Sequence, residues 1–220
     1  MKPNAEQATD PTDATSDRNQ RMGKFEPYRL SGLWHVHTDV TDGKHDPDAL
    51  FTFATENRFP LIGFVEHVRR SPTYDFHAFY DRIHERAGDY DIACAVGCEA
   101  KVLDESGTLD VSSDVATRAD VVYVAYHGTQ FDRDGYLESV RGMLSNPIVD
   151  VWAHPFAYPA RKALSLTADD RRSILEYAGD NEVALEYTLH QKYASSRQFA
   201  PELSTYWDVI GYDLHDLSNW

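Results

Sequence analysis

The sequence is short of cysteine, of lysine and of long apolar runs. Its two cysteines, Cys94 and Cys98, lie four apart in an apolar segment. Alternation along a strand puts both on one face, so they read as buried free thiols rather than as a disulfide or a metal pair. No stretch approaches the roughly 20 consecutive apolar residues that a membrane span requires, which removes the membrane as a partner. Six lysines stand against 24 aspartates, and the formal net charge is −15. Phosphate backbones are held mainly by Lys and Arg, so nonspecific nucleic-acid binding is excluded as an expectation. A dense carboxylate surface suits a salt-rich cytoplasm. The first 28 residues lack an apolar signal core and are rich in Asp, Thr, Asn and Ser. They read as a disordered leader 1–28 to a cytoplasmic protein, with one folded domain over 29–220. No glycine-rich phosphate loop follows the first apolar run, which removes the strongest sign of a nucleotide-binding open sheet.

What is present is regular. Hydrophobic residues make up 42% of the chain and aromatics 12%, enough for a core. Seven short β-branched or apolar runs recur, at Leu33 to Val36, Leu61 to Val65, Ile92 to Val96, Val121 to Ala125, Val149 to Trp152, Val183 to Glu186 and Val209 to Tyr212. Helical patterns fall between several of them, over Pro47 to Asn57 (with Asp46 as N-cap), Phe76 to Ala87, Asp134 to Leu144 and Asp169 to Ala178. Strand and helix in alternation imply parallel strands joined by right-handed crossovers, in either an open doubly wound sheet or a closed α/β barrel.

Six of the ten histidines fall at or just past the C-terminal end of one of these runs: His35, His37, His67, His127, His154 and His215. Glu99 in VGCEAK and Asp213 in GYDLH occupy equivalent positions, and Asp42 lies in the loop after His37. In a parallel barrel such ends meet on one rim, where catalytic residues collect. Imidazole and carboxylate together suit Zn²⁺, Mn²⁺ or Fe²⁺, and a carboxylate such as Glu99 can bridge two ions. In H-x-H the two imidazoles of His35 and His37 point to one side of an extended chain. His45 is either a further ligand or a capping residue. Glu186 either orients a ligand or only closes the barrel. His77, His84 and His190 read as structural.

In their order along the chain, HVHTDVTDG, FVEH, GCE, AYHG, AHPF and GYDLH resemble the motifs of the PHP (polymerase and histidinol phosphatase) family over residues 33 to 216. The resemblance implies a distorted seven-stranded (β/α)7 TIM-like barrel and a hydrolase with two or three divalent metal ions (Zn, Mn or Fe). By it, His35, His37, Glu99 and Asp213 surround a first metal, Glu99, His127 and His154 a second, and Asp42, His67 and His215 a third. Two positions depart from the pattern: Glu66 stands where Asp often precedes the second-motif histidine, and Asp42 where some relatives carry histidine.

The implied reaction is hydrolysis of a small phosphomonoester by a metal-activated hydroxide, as in the histidinol-phosphatase branch. Glu99 sits at the shared metal site, and His215 is a candidate to neutralise the leaving oxygen. Cations near the rim, with Arg69, Lys101 and Arg161 preferred, are candidates for the remaining phosphate oxygens. A phosphodiesterase or nuclease acting on small nucleotides, and a non-catalytic metal-binding domain, stay open as alternatives. Only five residues follow His215, so the barrel is expected either to remain open at its seam or to be covered there by a second subunit.

Overall fold

The computed structural model describes residues 21–220. Seven parallel strands, β1 (Leu33–Val36), β2 (Leu61–His67), β3 (Ala93–Lys101), β4 (Val122–Ala125), β5 (Val151–Trp152), β6 (Ala184–Thr188) and β7 (Val209–Leu214), follow one another around a closed barrel. The open-seam expectation is corrected: β7 pairs with β1 through Trp34↔Gly211 and Val36↔Leu214. The ring of Trp220 packs near this edge, at 5.0 Å from Phe53, 5.6 Å from Phe59 and 5.0 Å from Tyr212.

Each long helix starts where a side chain satisfies a free backbone N–H. Asp46 accepts from Ala49 N ahead of α1 (Pro47–Glu56), and Asp75 accepts from Ala78 N ahead of α2 (Phe76–Tyr90). Ser112 does the same for the short α3 (Ser113–Arg118), and Asp132 for α4 (Arg133–Leu144). A reciprocal box between Thr167 and Asp170 opens α6 (Ala168–Asp180). Each such cap contributes about 1 kcal/mol. The chain's aspartates are thus partly structural. The short helices α3, α5 (Ala157–Lys162) and α7 (Ala194–Phe199) are absent from the sequence-based expectation, because six residues carry too little periodicity to be seen.

Two apolar layers hold the barrel. Outside, α2 buries Phe76, Phe79, Ile83 and Ala87, a helical spacing, in the same cluster as Phe64, Val96 and Cys98. Cys94 packs against this layer as well, and both thiols are free. Inside, Trp34 fills the lower barrel with Leu61, Val65, Ala95, Val121, Val151 and Val209. Gly63 makes that possible, since a Cβ there would lie 2.4 Å from the Trp34 ring. Residues 21–28 fall in the stretch assigned to the leader by composition, yet Met22 and Phe25 are buried and Phe25 meets Trp34 edge-on at 5.6 Å. Residues 1–20 lie outside the described part. No described helix is long and apolar enough to cross a membrane.

Candidate metal centre

Strand register decides which side chains meet at the C-terminal rim. His67 and Glu99 are Cα partners across β2 and β3, so their side chains stand abreast, with His67 Nδ1 2.8 Å from Glu99 Oε2. Glu99 is paired with Tyr123 on its other side. Its Oε1 lies 3.1 Å from His127 Nε2, 3.2 Å from His154 Nε2 and 3.6 Å from His35 Nε2. One buried carboxylate therefore gathers histidines from β1, β2 and the ends of β4 and β5.

Regular alternation does not account for all of these directions. At His35 φ is +62°, and the pairing of β1 with both neighbours shifts register there. Trp34 and His35 consequently both face inward. His154 and Asp213 also have positive φ, +32° and +45°. Such backbone is costly for residues with a Cβ, and it persists only where the surroundings fix it. Three of the metal-type side chains thus owe their aim to strained backbone.

Around Glu99 the remaining candidates assemble. Asp213 Oδ1 stands 3.2 Å from His37 Nε2 and 3.5 Å from His215 Nδ1. At the more open edge, Asp42 reaches His67 Nε2 and His215 Nε2, each at 3.3 Å. The nine residues form four overlapping groups with ligand atoms within 4.8 Å of one another: His37, Asp42, His67 and His215; His35, His37 and Asp213; His35, Glu99 and His154; His67, Glu99 and His127. All nine sequence candidates are brought together.

The electrostatics match a cation. Burial opposes charge on Glu99, but His127, His154, His35 and His67 outweigh it and hold its carboxyl well below the usual range. Asp213 is likewise held low against its burial by His37, His35 and His154. Burial lowers His37 to about 4. His35 is also opposed by burial, yet Glu186 and Glu99 raise it. His35 Nε2, both ring nitrogens of His37 and Glu99 Oε2 are buried and, although ring nitrogens or carboxylate oxygens lie close, make no well-directed hydrogen bond. Each unmet buried group costs about 1–3 kcal/mol, and a divalent ion would meet several at once. The donor set therefore fits such ions.

Behind the ligands lies a second layer of contacts. Glu186 Oε1 meets His35 Nδ1 at 2.7 Å, and its Oε2 accepts from the backbone N–H of His154 at 2.7 Å. Glu186 therefore holds two of the candidate ligands in place, which is more than closing the barrel. A Cβ at residue 211 would fall 1.8 Å from Glu186 Oε1, which is why glycine stands there. Glu66 accepts from Thr38 N at 2.7 Å and from the Thr41 hydroxyl, holding the loop that carries Asp42. Burial pushes the Glu66 carboxyl up to about 7. His45 turns away: its Nε2 accepts from Leu217 N at 3.0 Å and lies 3.4 Å from Asp216. His77 and His84 pair with Asp114 and Asp120, and His190 accepts from Lys192 N.

A cavity of about 440 Å³ opens at the centre, lined by Asp42, His67, His127, Asp213 and His215 together with Arg161, Lys192, Tyr193 and Ser195. Of the three preferred cations, Arg161 lines it. Arg69 does not, because its guanidinium bonds the carbonyl of Val68 and lies 3.7 Å from Asp110. Lys101 follows Glu99 on the same face of β3 but is outside the lining. Lys192 and Tyr193 escape sequence reasoning: they lie in the β6–β7 connection, where no periodicity or motif marks them.

With this geometry in place, comparison with known proteins is informative. The profile of the PHP domain family matches residues 34–211. The chain belongs to the PHP domain family. A protein of Clostridium novyi described as a probable phosphatase is 28% identical over 137 residues, 56% of this chain and 54% of that protein. A crystal structure of a two-domain protein from Bacteroides vulgatus, containing a predicted PHP-like metal-dependent phosphoesterase, superimposes with a TM-score of 0.49 and 14% identity. It covers 85% of this chain and 52% of that one. The chain thus spans about half the length of the relatives it matches.

Proposed function

We propose that this PHP chain is a metal-dependent phosphoesterase that hydrolyses a small phosphomonoester. The observation that carries the reading is Glu99: a fully buried carboxylate ringed by histidines from several strand ends, two of which, His67 and His127, line a cavity together with Arg161. Two or three ions, of zinc, manganese or iron, would be held by His35, His37 and Asp213, by Glu99 with His127 and His154, and by Asp42, His67 and His215. Bound there, such ions lower the pKa of water towards neutrality and neutralise charge on phosphoryl oxygens. Glu99 and Asp213 supply the negative charge that holds them, and Glu186 keeps His35 and His154 aligned. Arg161 offers its guanidinium to the non-reacting phosphate oxygens. The oxygen of water would bond to phosphorus, its proton passing to solvent, as the ester P–O bond breaks, and either an ion held by Asp42, His67 and His215 or His215 itself would neutralise the departing alcohol oxygen. The Clostridium relative described as a probable phosphatase agrees with this chemistry.

The cavity favours a small substrate without a nucleobase over the nucleotide reading. Among its described wall residues the one phenol, Tyr193, has His154 stacked on it at 4.8 Å and the Lys192 ammonium 5.1 Å from its centroid. Among the described wall residues no phenol or indole face is left for a base to stack on. A cavity lined by Asp42, His67, His127, Asp213 and His215 argues against a purely structural metal.

The test combines elemental mass spectrometry with phosphate release from a phosphomonoester and its diester, with Mn²⁺, Zn²⁺ or Fe²⁺ added. The expected result is two or three ions per chain and preferred turnover of the monoester. Glu99→Ala should lower turnover on the order of 10³-fold, about 4 kcal/mol of barrier. Well under one ion per chain after reconstitution, with no turnover, would sink the reading.

A further inference from the structure

Tyr193 lies outside every ligand group, on the connection between β6 and β7, and is 8% exposed. Two of its features address two different ligands. Its hydroxyl donates a short hydrogen bond to Asp213 Oδ2. The other oxygen of that carboxylate, Oδ1, is the one that faces His37 at 3.2 Å and His35 at 3.6 Å. The phenol thereby leaves Oδ1 as the oxygen turned to the metal-type group. The ring of Tyr193 stacks on His154 with centroids 4.8 Å apart and planes 7° from parallel. His154 Nε2, in turn, is 3.2 Å from Glu99 Oε1. Asp213 and His154 both sit at positive φ, where their own backbone does not hold them at low energy and outside contacts must.

Tyr193 is itself anchored from its own segment. Its N–H donates to His190 O at 3.0 Å, and its carbonyl accepts from the Ser196 hydroxyl at 2.7 Å. The guanidinium of Arg197 donates to Thr188 O, the last residue of β6. A rigid turn therefore delivers one aromatic residue to two strained ligands.

We infer that Tyr193 is a positioning residue that aligns Asp213 through its hydroxyl and His154 through its ring, coupling the first and second metal groups. The inference rests on the metal-binding reading above. Outer contacts of this kind typically change metal affinity 10–100-fold when removed. Lys192 bonds the same Asp213 oxygen at 2.6 Å but is half-exposed, so its contribution should be small.

The experiment titrates the metal-free full chain with Mn²⁺ by calorimetry and counts bound ions, for the wild type and for Tyr193→Phe, Tyr193→Leu and Lys192→Met. Tyr193→Phe, which keeps the ring and loses the hydroxyl, should weaken one binding step about tenfold. Tyr193→Leu should weaken a second step too, with a summed loss nearer about 100-fold. Lys192→Met should change binding less than about fivefold. Melting of the metal-free proteins should shift little between wild type and Tyr193→Phe, a pattern that a merely structural tyrosine would not give. Wild-type affinity in Tyr193→Phe overturns the inference even if Tyr193→Leu fails to fold, and so does a loss in Lys192→Met equal to that in Tyr193→Phe. A wild type that takes up no Mn²⁺ overturns both this and the metal-binding reading, whereas intact wild-type binding with unaffected variants overturns this one alone.

Discussion

The two ends of the barrel both carry carboxylates, and they engage them in opposite ways. At the N-terminal end, three aspartates precede strands and clamp the neighbouring strand. Asp120 accepts from Val96 N, Asp150 from Val122 N and Asp208 from Leu185 N, at 2.9, 2.8 and 3.0 Å. Each returns its own N–H to the carbonyl of the same residue, at 2.9, 3.0 and 2.8 Å. Asp150 also meets the Arg21 guanidinium at 3.1 Å. At the C-terminal end, Glu99, Asp213 and Asp42 face histidines, and buried ring nitrogens make no well-directed hydrogen bond. Closed pairing ties the lower carboxylates to backbone N–H groups, although burial still pushes the Asp208 carboxyl up, and the looser pairing of the upper ones suits a cation. The same inward series on one strand shows the change: Leu61, Gly63 and Val65 below, His67 above.

Substitutions should separate the ends. Asp150→Ala strands the Val122 N–H and the Arg21 charge, and removing one partner of a buried pair costs about 3–5 kcal/mol. Urea unfolding should show that loss, while the folded fraction keeps wild-type metal stoichiometry. Loss of metal with unchanged stability would show that the lower clamp is not a separate structural device. Gly211→Ala sits at the boundary. Its Cβ would collide with Glu186, so His35 and His154 lose their common support. Metal affinity should fall about 10–100-fold, with a smaller effect on stability. An unchanged Mn²⁺ titration would mean that Glu186 relaxes without disturbing either ligand.

Much of this was readable in the sequence, for identifiable reasons. Seven β-branched runs correspond to seven strands, because period and punctuation are local properties. The convergence of the nine candidate residues was legible because the strand ends of a parallel barrel meet on one rim. The distortions were not. Alternation places Trp34 and His35 on opposite faces, and only the positive φ at His35 turns both inward. Closure at β1 and β7 was equally hidden, since it depends on pairing between residues far apart in the chain. Tyr193 and Lys192 belong to a connection whose course is set by what it packs against. Met22 and Phe25 were assigned to a polar leader by averaging over composition, and two apolar residues suffice to seat that stretch beneath Trp34.

The smallest expected effect lies at the edge of the lower end. Burial opposes charge on Asp120, but His84, the Val96 N–H and the Tyr80 hydroxyl outweigh it and lower its pKa. A carboxylate held below its unfolded value of about 3.9 contributes stability above that pH and loses it as pH falls through the folded value. Asp120→Asn should therefore cost about 1 kcal/mol at neutral pH, where a charged hydrogen-bonding network is lost. The gap between variant and wild type should narrow as the pH falls below the unfolded value of about 3.9 and close as the native carboxylate protonates. Urea midpoints measured at neutral pH and again in acid test this directly. A gap that persists unchanged in acid would mean that Asp120 acts by shape and not by charge. The lower clamps would then differ from the upper carboxylates in packing alone.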